Sequence, residues 1–203
     1  IHPSQVSRSL ATFADLARYP MAKAAVEPAL WDLYGKIVGK PLSKLIGGSN
    51  QEKILGGAVI GLGTADEVCA QVDVAVQAGY TRVKLKVKPD TVLACVEAVR
   101  EAHPDLIIML DANQSFDESN LDILRKLDEF DIACIEEPYN PSFVPRNGDT
   151  NLFARLSDLQ EHIKTPVCLD ESVVTAQDME EAIRGKLRLN YGISEKDVNE
   201  EYL

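Results

Sequence analysis

The stretches that decide the fold are RVKLKV at residues 82–87, LIIMLD at 106–111, IACIEE at 132–137 and PVCLDE at 166–171. Each is a short apolar run with charged residues in it or at its end: Lys84 and Lys86 in the first run, then Asp111, Glu136 and Asp170. In a parallel α/β barrel the carboxyl ends of all strands meet at one rim, where side chains from neighbouring strands can hold a metal. Four consecutive runs of this kind predict a shared site at that rim.

Apolar runs alternate with helical stretches over most of the chain. A further run, GAVIGL at 57–62, precedes the four, and we expect helices to begin near Ala65, Thr91, Asp117, Asn151 and Ala176. Thr64 is well placed to cap the first of these helices. The alternation predicts right-handed βαβ units and parallel strand pairing.

Two parallel architectures fit that alternation, a doubly wound sheet and a closed barrel. A doubly wound sheet usually places a glycine-rich phosphate loop after its first strand, but GLGTAD at 61–66 is too short for that motif. In a barrel every strand contributes to the same rim, as the charged run endings do. We therefore predict an α/β fold of the (β/α)8 barrel type.

Residues 21–48 have a helical pattern instead of an alternating one. We expect a helix that carries Ala25, Ala29 and Leu33 on one side and ends at Gly39. Pro28 lies inside this pattern, where it removes one hydrogen bond or kinks the helix. A short helical turn, PLSKLIGG, follows.

The composition excludes several classes of partner. The formal net charge of −11 argues against nucleic acid and anionic membranes, because both require a basic face. No run approaches the length of a membrane span, and IHPSQVSRSL lacks the pattern of a signal peptide. We expect a cytoplasmic protein with a small-molecule partner. Its cysteines form no CxxC pair and are expected to be reduced thiols.

The two lysines of RVKLKV are predicted to point into the barrel. Side chains alternate along a strand, so Val83 and Leu85 face one way, and Lys84 and Lys86 the other. The apolar set must face the outer helices, and a buried ammonium requires an anionic partner. The alternative is an edge strand with one polar face in water.

The three acids are predicted to converge on one cation. Carboxylates that approach one another strongly raise each other's pKa unless a cation is bound. An oxygen-only ligand set of Asp111, Glu136 and Asp170 favours Mg²⁺ over Zn²⁺. The alternative is that each acid caps a helix or lies in a loop.

Three neighbours of these acids are candidates to support the site. Asn113, Glu137 and Glu171 could orient the carboxylates or pair with Lys84. Together the residues suggest a substrate carboxylate beside the metal, with Lys86 removing the proton α to that carboxylate.

At this point the chain resembles the muconate-lactonizing subgroup of the enolase superfamily, and within it the o-succinylbenzoate synthase / N-acylamino acid racemase family most of all. The resemblance lies in MAKAAVEPALWDLYGKIVGKPLSKLIGG, RVKLKVKPD, LDANQSF, LDEFDIACIEEP and TPVCLDES. It covers roughly residues 20–180, and the motifs are specific in combination.

The resemblance implies a capping domain over a modified (β/α)8 barrel, with Mg²⁺ as the cofactor. Residues 1–54 then correspond to the end of the capping domain, 55–185 to the first five barrel units and 186–203 to a divergent tail. The implied metal ligands are Asp111, Glu136 and Asp170. Lys86 is the implied acid/base, and Lys84 assists it.

The family implies abstraction of a proton α to a carboxylate with stabilisation of an enediolate. The expected activity is o-succinylbenzoate synthase, the dehydration step of menaquinone biosynthesis, because a syn dehydration can use a single lysine. The alternatives are an N-acylamino acid racemase, a dipeptide epimerase or, in another class, a truncated non-catalytic remnant. A carboxylate substrate is the expected partner. Assembly into a homo-oligomer is an alternative that the sequence leaves undecided.

Overall fold

The computed structural model describes residues 19–48, 56–143, 145, 148, 151–185 and 188–189. The chain divides into two compact units, Ile1–Ile54 and Leu55–Leu203. In the first unit, helix α1 spans Pro20–Val38 and helix α2 spans Leu42–Leu45. Gly39 ends α1 with a φ of 66°, a left-handed conformation that glycine adopts without steric strain. The predicted helix is confirmed, and it continues through Pro28.

The second unit alternates strands and helices from beginning to end. Its elements are β1 (Ala58–Ile60), α3 (Ala65–Gln77), β2 (Arg82–Lys86), α4 (Val92–Ala102), β3 (Ile107–Asp111), α5 (Leu121–Leu127), β4 (Cys134–Glu136), α6 (Leu152–His162), β5 (Val167–Leu169), α7 (Ala176–Arg184) and β6 (Arg188–Leu189). A short 3₁₀ turn, Glu118–Asn120, leads into α5.

All strand pairs are parallel, and each strand lies beside the next one in the chain, in the order β1 to β6. A doubly wound sheet would reverse this order at a switch point, whereas a barrel keeps it. The predicted partial barrel is confirmed.

In addition to the five expected strands, the structure contains a sixth. In β6, Arg188 pairs with Cys168 and Leu189 pairs with Leu169. This strand lies within residues 186–203, the stretch that was predicted to be a divergent tail. The rest of that tail, 186–187 and 190–203, lies outside the described residues.

The hydrophobic core lies between one face of the sheet and the helices. The outward-facing strand residues are fully buried, among them Val83, Leu85, Ile108, Leu110 and Ile135. They belong to one cluster with the inner faces of the helices, which include Val72, Val96, Leu124, Leu127, Leu156 and Leu159. This burial follows from the repeat of side-chain direction, which is two residues in a strand and 3.6 residues in a helix. The opposite strand face is therefore left for the polar residues.

The predicted cap at the beginning of α3 is confirmed. Thr64 and Glu67 form a capping box at α3: the Glu67 N–H donates to Thr64 Oγ1, and the Thr64 N–H donates to Glu67 Oε2 over 2.9 Å. Asp117 caps the 3₁₀ turn by accepting from the Ser119 N–H. Within the described residues, no helix is both long and apolar enough to cross a bilayer. The described cysteines are free thiols, as expected.

The capping box at α3 gives a stability test with a matched control. Thr64→Ala should lower the free energy of unfolding by about 1 kcal/mol, because the Glu67 N–H in the first turn of α3 loses its side-chain acceptor. Thr91→Ala is the control, since Thr91 also precedes a helix but its side chain makes no capping hydrogen bond. Urea denaturation measures both, and equal losses in the two variants would contradict the assignment.

Candidate functional site

The strand register aligns three of the predicted site residues in one row. Lys86 on β2 pairs with Asp111 on β3, and Asp111 pairs with Glu136 on β4. Glu136 in turn pairs with Cys168 on β5, two residues before Asp170. Because side chains alternate along a strand, Asp170 faces the same way as the row but lies one step beyond it, roughly 6–7 Å along the strand.

The ammonium of Lys84 lies between the two buried acids of the row. Its Nζ is 2.9 Å from Glu136 Oε1 and 3.1 Å from Asp111 Oδ2. The side chains of Glu136 and Asp111 are 0% and 1% exposed, respectively. The ammonium therefore bridges two carboxylates that water hardly reaches.

Lys86 lies at the more open end of the same strand. Its Nζ is 2.7 Å from Asp111 Oδ2 and 2.5 Å from Asn113 Oδ1, and its side chain is 33% exposed. The Asn113 Nδ2 group donates to Glu171 Oε1 over 2.8 Å, which turns the amide oxygen toward Lys86. Lys86 is thus held on one side by Asp111 and Asn113, and a small molecule can approach it from solvent.

The charges of the cluster shift its pKa values in opposite directions. Burial favours a lower pKa for Lys84, but hydrogen bonds to Glu136 and Asp111 outweigh it and raise the pKa of Lys84 above its usual value. Burial favours a higher pKa for Asp111, yet hydrogen bonds from Lys86 and Lys84 lower it overall. The pKa of Glu136 is raised, first by burial and then by the charges of Asp111 and Asp170, against the opposing effect of Lys84.

Glu137 organises the segment that carries Asp170. Its buried carboxylate accepts hydrogen bonds from the Asp170 N–H (2.7 Å), the Ser172 N–H (2.8 Å) and the Ser172 hydroxyl (2.6 Å). Its backbone has a φ of 44°, an unusual value for a glutamate, which directs its side chain away from that of Glu136 and toward β5. The carboxylate of Glu137, the residue that follows β4, therefore holds the start of the segment between β5 and α7 in place.

The residues at the rim fit a hard divalent cation by their chemistry. All three predicted ligands offer carboxylate oxygens, and a positive charge already lies between two of them. Yet among the described residues no group of three His, Cys, Asp or Glu side chains lies close enough to hold a metal. In the strand register, Asp170 lies two residues beyond the position that pairs with Glu136.

Sequence reasoning missed two residues near the rim. Ser172 binds Glu137, and its position in the motif CLDES was the available signal. Arg155 on α6 is buried, forms an ion pair with Glu118 and donates to the Asn140 carbonyl over 3.2 Å. Its guanidinium also lies 5.5 Å from the ring centre of Tyr139. An arginine within an amphipathic helix normally indicates a solvated face, so the contacts of Arg155 with the loop after β4 could not be predicted from the sequence.

Two family models match the chain. A model described as Enolase C-terminal domain-like matches residues 67–187. The model of the N-terminal domain of mandelate racemase / muconate lactonizing enzyme matches residues 3–47.

Among curated proteins, the chain is similar to the o-succinylbenzoate synthase of Bacillus subtilis (strain 168), at 34% identity over 182 residues. It is also similar to the N-succinylamino acid racemase of Thermus thermophilus, at 34% identity over 182 residues. Each alignment covers 90% of this chain and 46% of the relative. The chain thus spans about half the length of these curated relatives.

Solved structures show the same likeness. A probable mandelate racemase from Alicyclobacillus acidocaldarius superposes with a TM-score of 0.71 at 36% identity, over 82% of this chain and 42% of that one. An enolase from Bradyrhizobium, complexed with magnesium and mandelic acid, superposes with a TM-score of 0.65 at 26% identity. The superposition covers 79% of this chain and 43% of that one.

Removal of the Glu137 carboxylate tests its role at the rim. Glu137→Ala should lower the free energy of unfolding by roughly 3 kcal/mol, because hydrogen bonds to a buried charged group are lost and two N–H groups lose their acceptor. Amide hydrogen exchange at Asp170 and Ser172 should accelerate with it. The control is Glu97→Ala, an exposed acid on α4, with an expected loss below about 0.5 kcal/mol. Unchanged exchange at both amides in Glu137→Ala would contradict this role.

Proposed function

Since the chain belongs to the enolase C-terminal domain-like family, together with mandelate racemase and muconate lactonizing enzyme, we propose that it contributes the acid/base lysine and the metal-binding carboxylates of a Mg²⁺-dependent enzyme. The proposed reaction is abstraction of the proton α to a carboxylate. The proposed enzyme is an o-succinylbenzoate synthase.

The observation that carries this proposal is the position of Lys86. Its side chain is partly exposed at the carboxyl end of a barrel strand, and its amine is held on one side by Asp111 and Asn113. In its neutral form this amine can accept a proton from a substrate carbon at the open side. The C–H bond breaks, the N–H bond forms, and the electron pair stays on the substrate.

Asp111, Glu136 and Asp170 are the residues that would hold the metal. A bound Mg²⁺ would supply positive charge that stabilises the negative charge developing on the substrate carboxylate. Two observations support this set: its oxygen-only chemistry, and the charges of Asp111 and Asp170 acting on buried Glu136. The magnesium in the Bradyrhizobium enolase agrees with it.

Dehydration is the first reaction that we propose, because Lys86 alone can perform both of its proton transfers. In a syn dehydration, Lys86 removes the α-proton and then returns it to the leaving hydroxyl, which departs as water while the C–O bond breaks. An acid/base on one face of the substrate is sufficient for both steps. The similarity to o-succinylbenzoate synthases supports the same choice.

Racemisation is the second candidate. The likeness to the Thermus N-succinylamino acid racemase favours it. A racemase requires an acid/base on each face of the substrate carbon, and in the described residues Lys84 and Lys86 share one strand. Formation of o-succinylbenzoate, compared with loss of optical rotation of an N-succinylamino acid, distinguishes the two activities.

Exchange of the α-proton with solvent tests the role of Lys86. In D₂O with Mg²⁺, NMR should show deuterium entering the α position of the carboxylate substrate. Lys86→Ala should slow this exchange by at least roughly 100-fold, the usual contribution of a general base. Lys88→Ala is the control, because Lys88 is an exposed lysine two residues further along the chain. If the wild-type chain shows no exchange, the non-catalytic alternative stands.

The role of Asp170 as a ligand is tested by metal binding alone. Asp170→Asn should weaken Mg²⁺ binding, measured by calorimetry, by roughly tenfold or more, because one anionic oxygen donor is lost. Asp105→Asn is the control, since Asp105 is exposed and lies before the amino end of β3, away from the rim. Equal Mg²⁺ affinity in Asp170→Asn and wild type would remove Asp170 from the ligand set.

A further inference from the structure

The position of Lys84 is the feature that the proposed reaction does not require. Lys86 supplies the acid/base, whereas the Lys84 ammonium lies deeper, between Glu136 Oε1 at 2.9 Å and Asp111 Oδ2 at 3.1 Å. Lys84 is also the less exposed of the two, at 24% against 33%. The Lys84 ammonium therefore contacts the two carboxylates instead of facing a substrate.

The two buried carboxylates, Asp111 and Glu136, both lie within 3.1 Å of the same ammonium. At this depth a neighbouring positive charge is needed to offset their desolvation and mutual repulsion. Lys84 supplies that cation from within the chain. A divalent metal would supply it from solution, through the same oxygen atoms.

We infer that Lys84 is a tethered cation that competes with the divalent metal for Asp111 and Glu136. It neutralises the pair in the absence of metal, and it must leave at least one of the two oxygens when the metal binds there. Lys84 is then a positioning residue that sets the affinity for the metal. This inference rests on the proposed metal role of the two carboxylates, and it is independent of the reaction performed.

Competition and a purely structural role predict opposite results. If Lys84 only supported the local fold, its removal would loosen Asp111 and Glu136 and weaken Mg²⁺ binding. If Lys84 competes, its removal frees both oxygens and deletes a neighbouring positive charge, so Mg²⁺ binding becomes tighter. In either case, the metal-free protein loses stability, because a buried ion pair is broken.

The test is Mg²⁺ binding to Lys84→Met, which keeps the length of the apolar stem and removes the charge. Calorimetry with Mg²⁺ alone should show binding tighter than wild type by roughly tenfold, the effect of removing one adjacent like charge. The midpoint of thermal unfolding should fall without metal and rise more steeply with Mg²⁺ than that of wild type. Lys88→Met is the matched control for the loss of one positive charge and should change neither quantity.

Lys84→Arg provides a second variant, because it retains the charge. It should keep Mg²⁺ affinity within about threefold of wild type, since the competing cation is still present. If Lys84→Met does not fold without metal, the inference predicts that Mg²⁺ restores its folding, as followed by circular dichroism.

Three outcomes would overturn the inference: equal or weaker Mg²⁺ binding by Lys84→Met, no recovery of its fold at saturating Mg²⁺, or no Mg²⁺ binding by either chain. By contrast, absence of α-proton exchange in wild type would overturn the proposed reaction and leave this comparison intact.

Discussion

The structure depends on one electrostatic constraint: buried carboxylates at the carboxyl ends of β3 and β4 require a cation. Parallel pairing of β2, β3 and β4 aligns Lys86, Asp111 and Glu136, and the preceding inward residue of β2, Lys84, reaches up between the two acids. Isolated ionised carboxylates would be strongly unfavourable at this depth. The ammonium groups that β2 brings to these acids supply such a cation.

The same alternation separates stability from chemistry. Val83 and Leu85 pack against the helices, while Lys84 and Lys86, their neighbours in the chain, line the other face. Hydrophobic burial on one face of the sheet thus holds the polar residues of the other face in register. The family match over residues 67–187 covers both the aliphatic and the charged residues of β2 to β5.

Much of this arrangement could be predicted from the sequence. The strand period of two was enough to separate Lys84 and Lys86 from the core, and the charged run endings were enough to place the acids at one rim. The register between strands could not be predicted, because it depends on how the sheet staggers. The offset of Asp170 from Glu136 was therefore unforeseen.

Other features could not be predicted from the sequence, because they depend on the local backbone conformation or on contacts between residues far apart in the chain. The positive φ of Glu137 turns its side chain toward Ser172, and no sequence pattern marks a glutamate for that conformation. The burial of Arg155 depends on Glu118 and on the loop after β4. Strand β6 is two residues long, too short for its period to be recognised.

If the carboxylates bridged by Lys84 form a divalent metal site, an anomalous X-ray difference map of crystals soaked in Mn²⁺ will locate the ion. Mn²⁺ favours the same oxygen ligands as Mg²⁺. We expect a peak between the carboxylates of Asp111 and Glu136, with Lys84 withdrawn from at least one of them. A map without a peak there at saturating Mn²⁺, and with Lys84 still bridging both acids, would show that the pair is not a metal site.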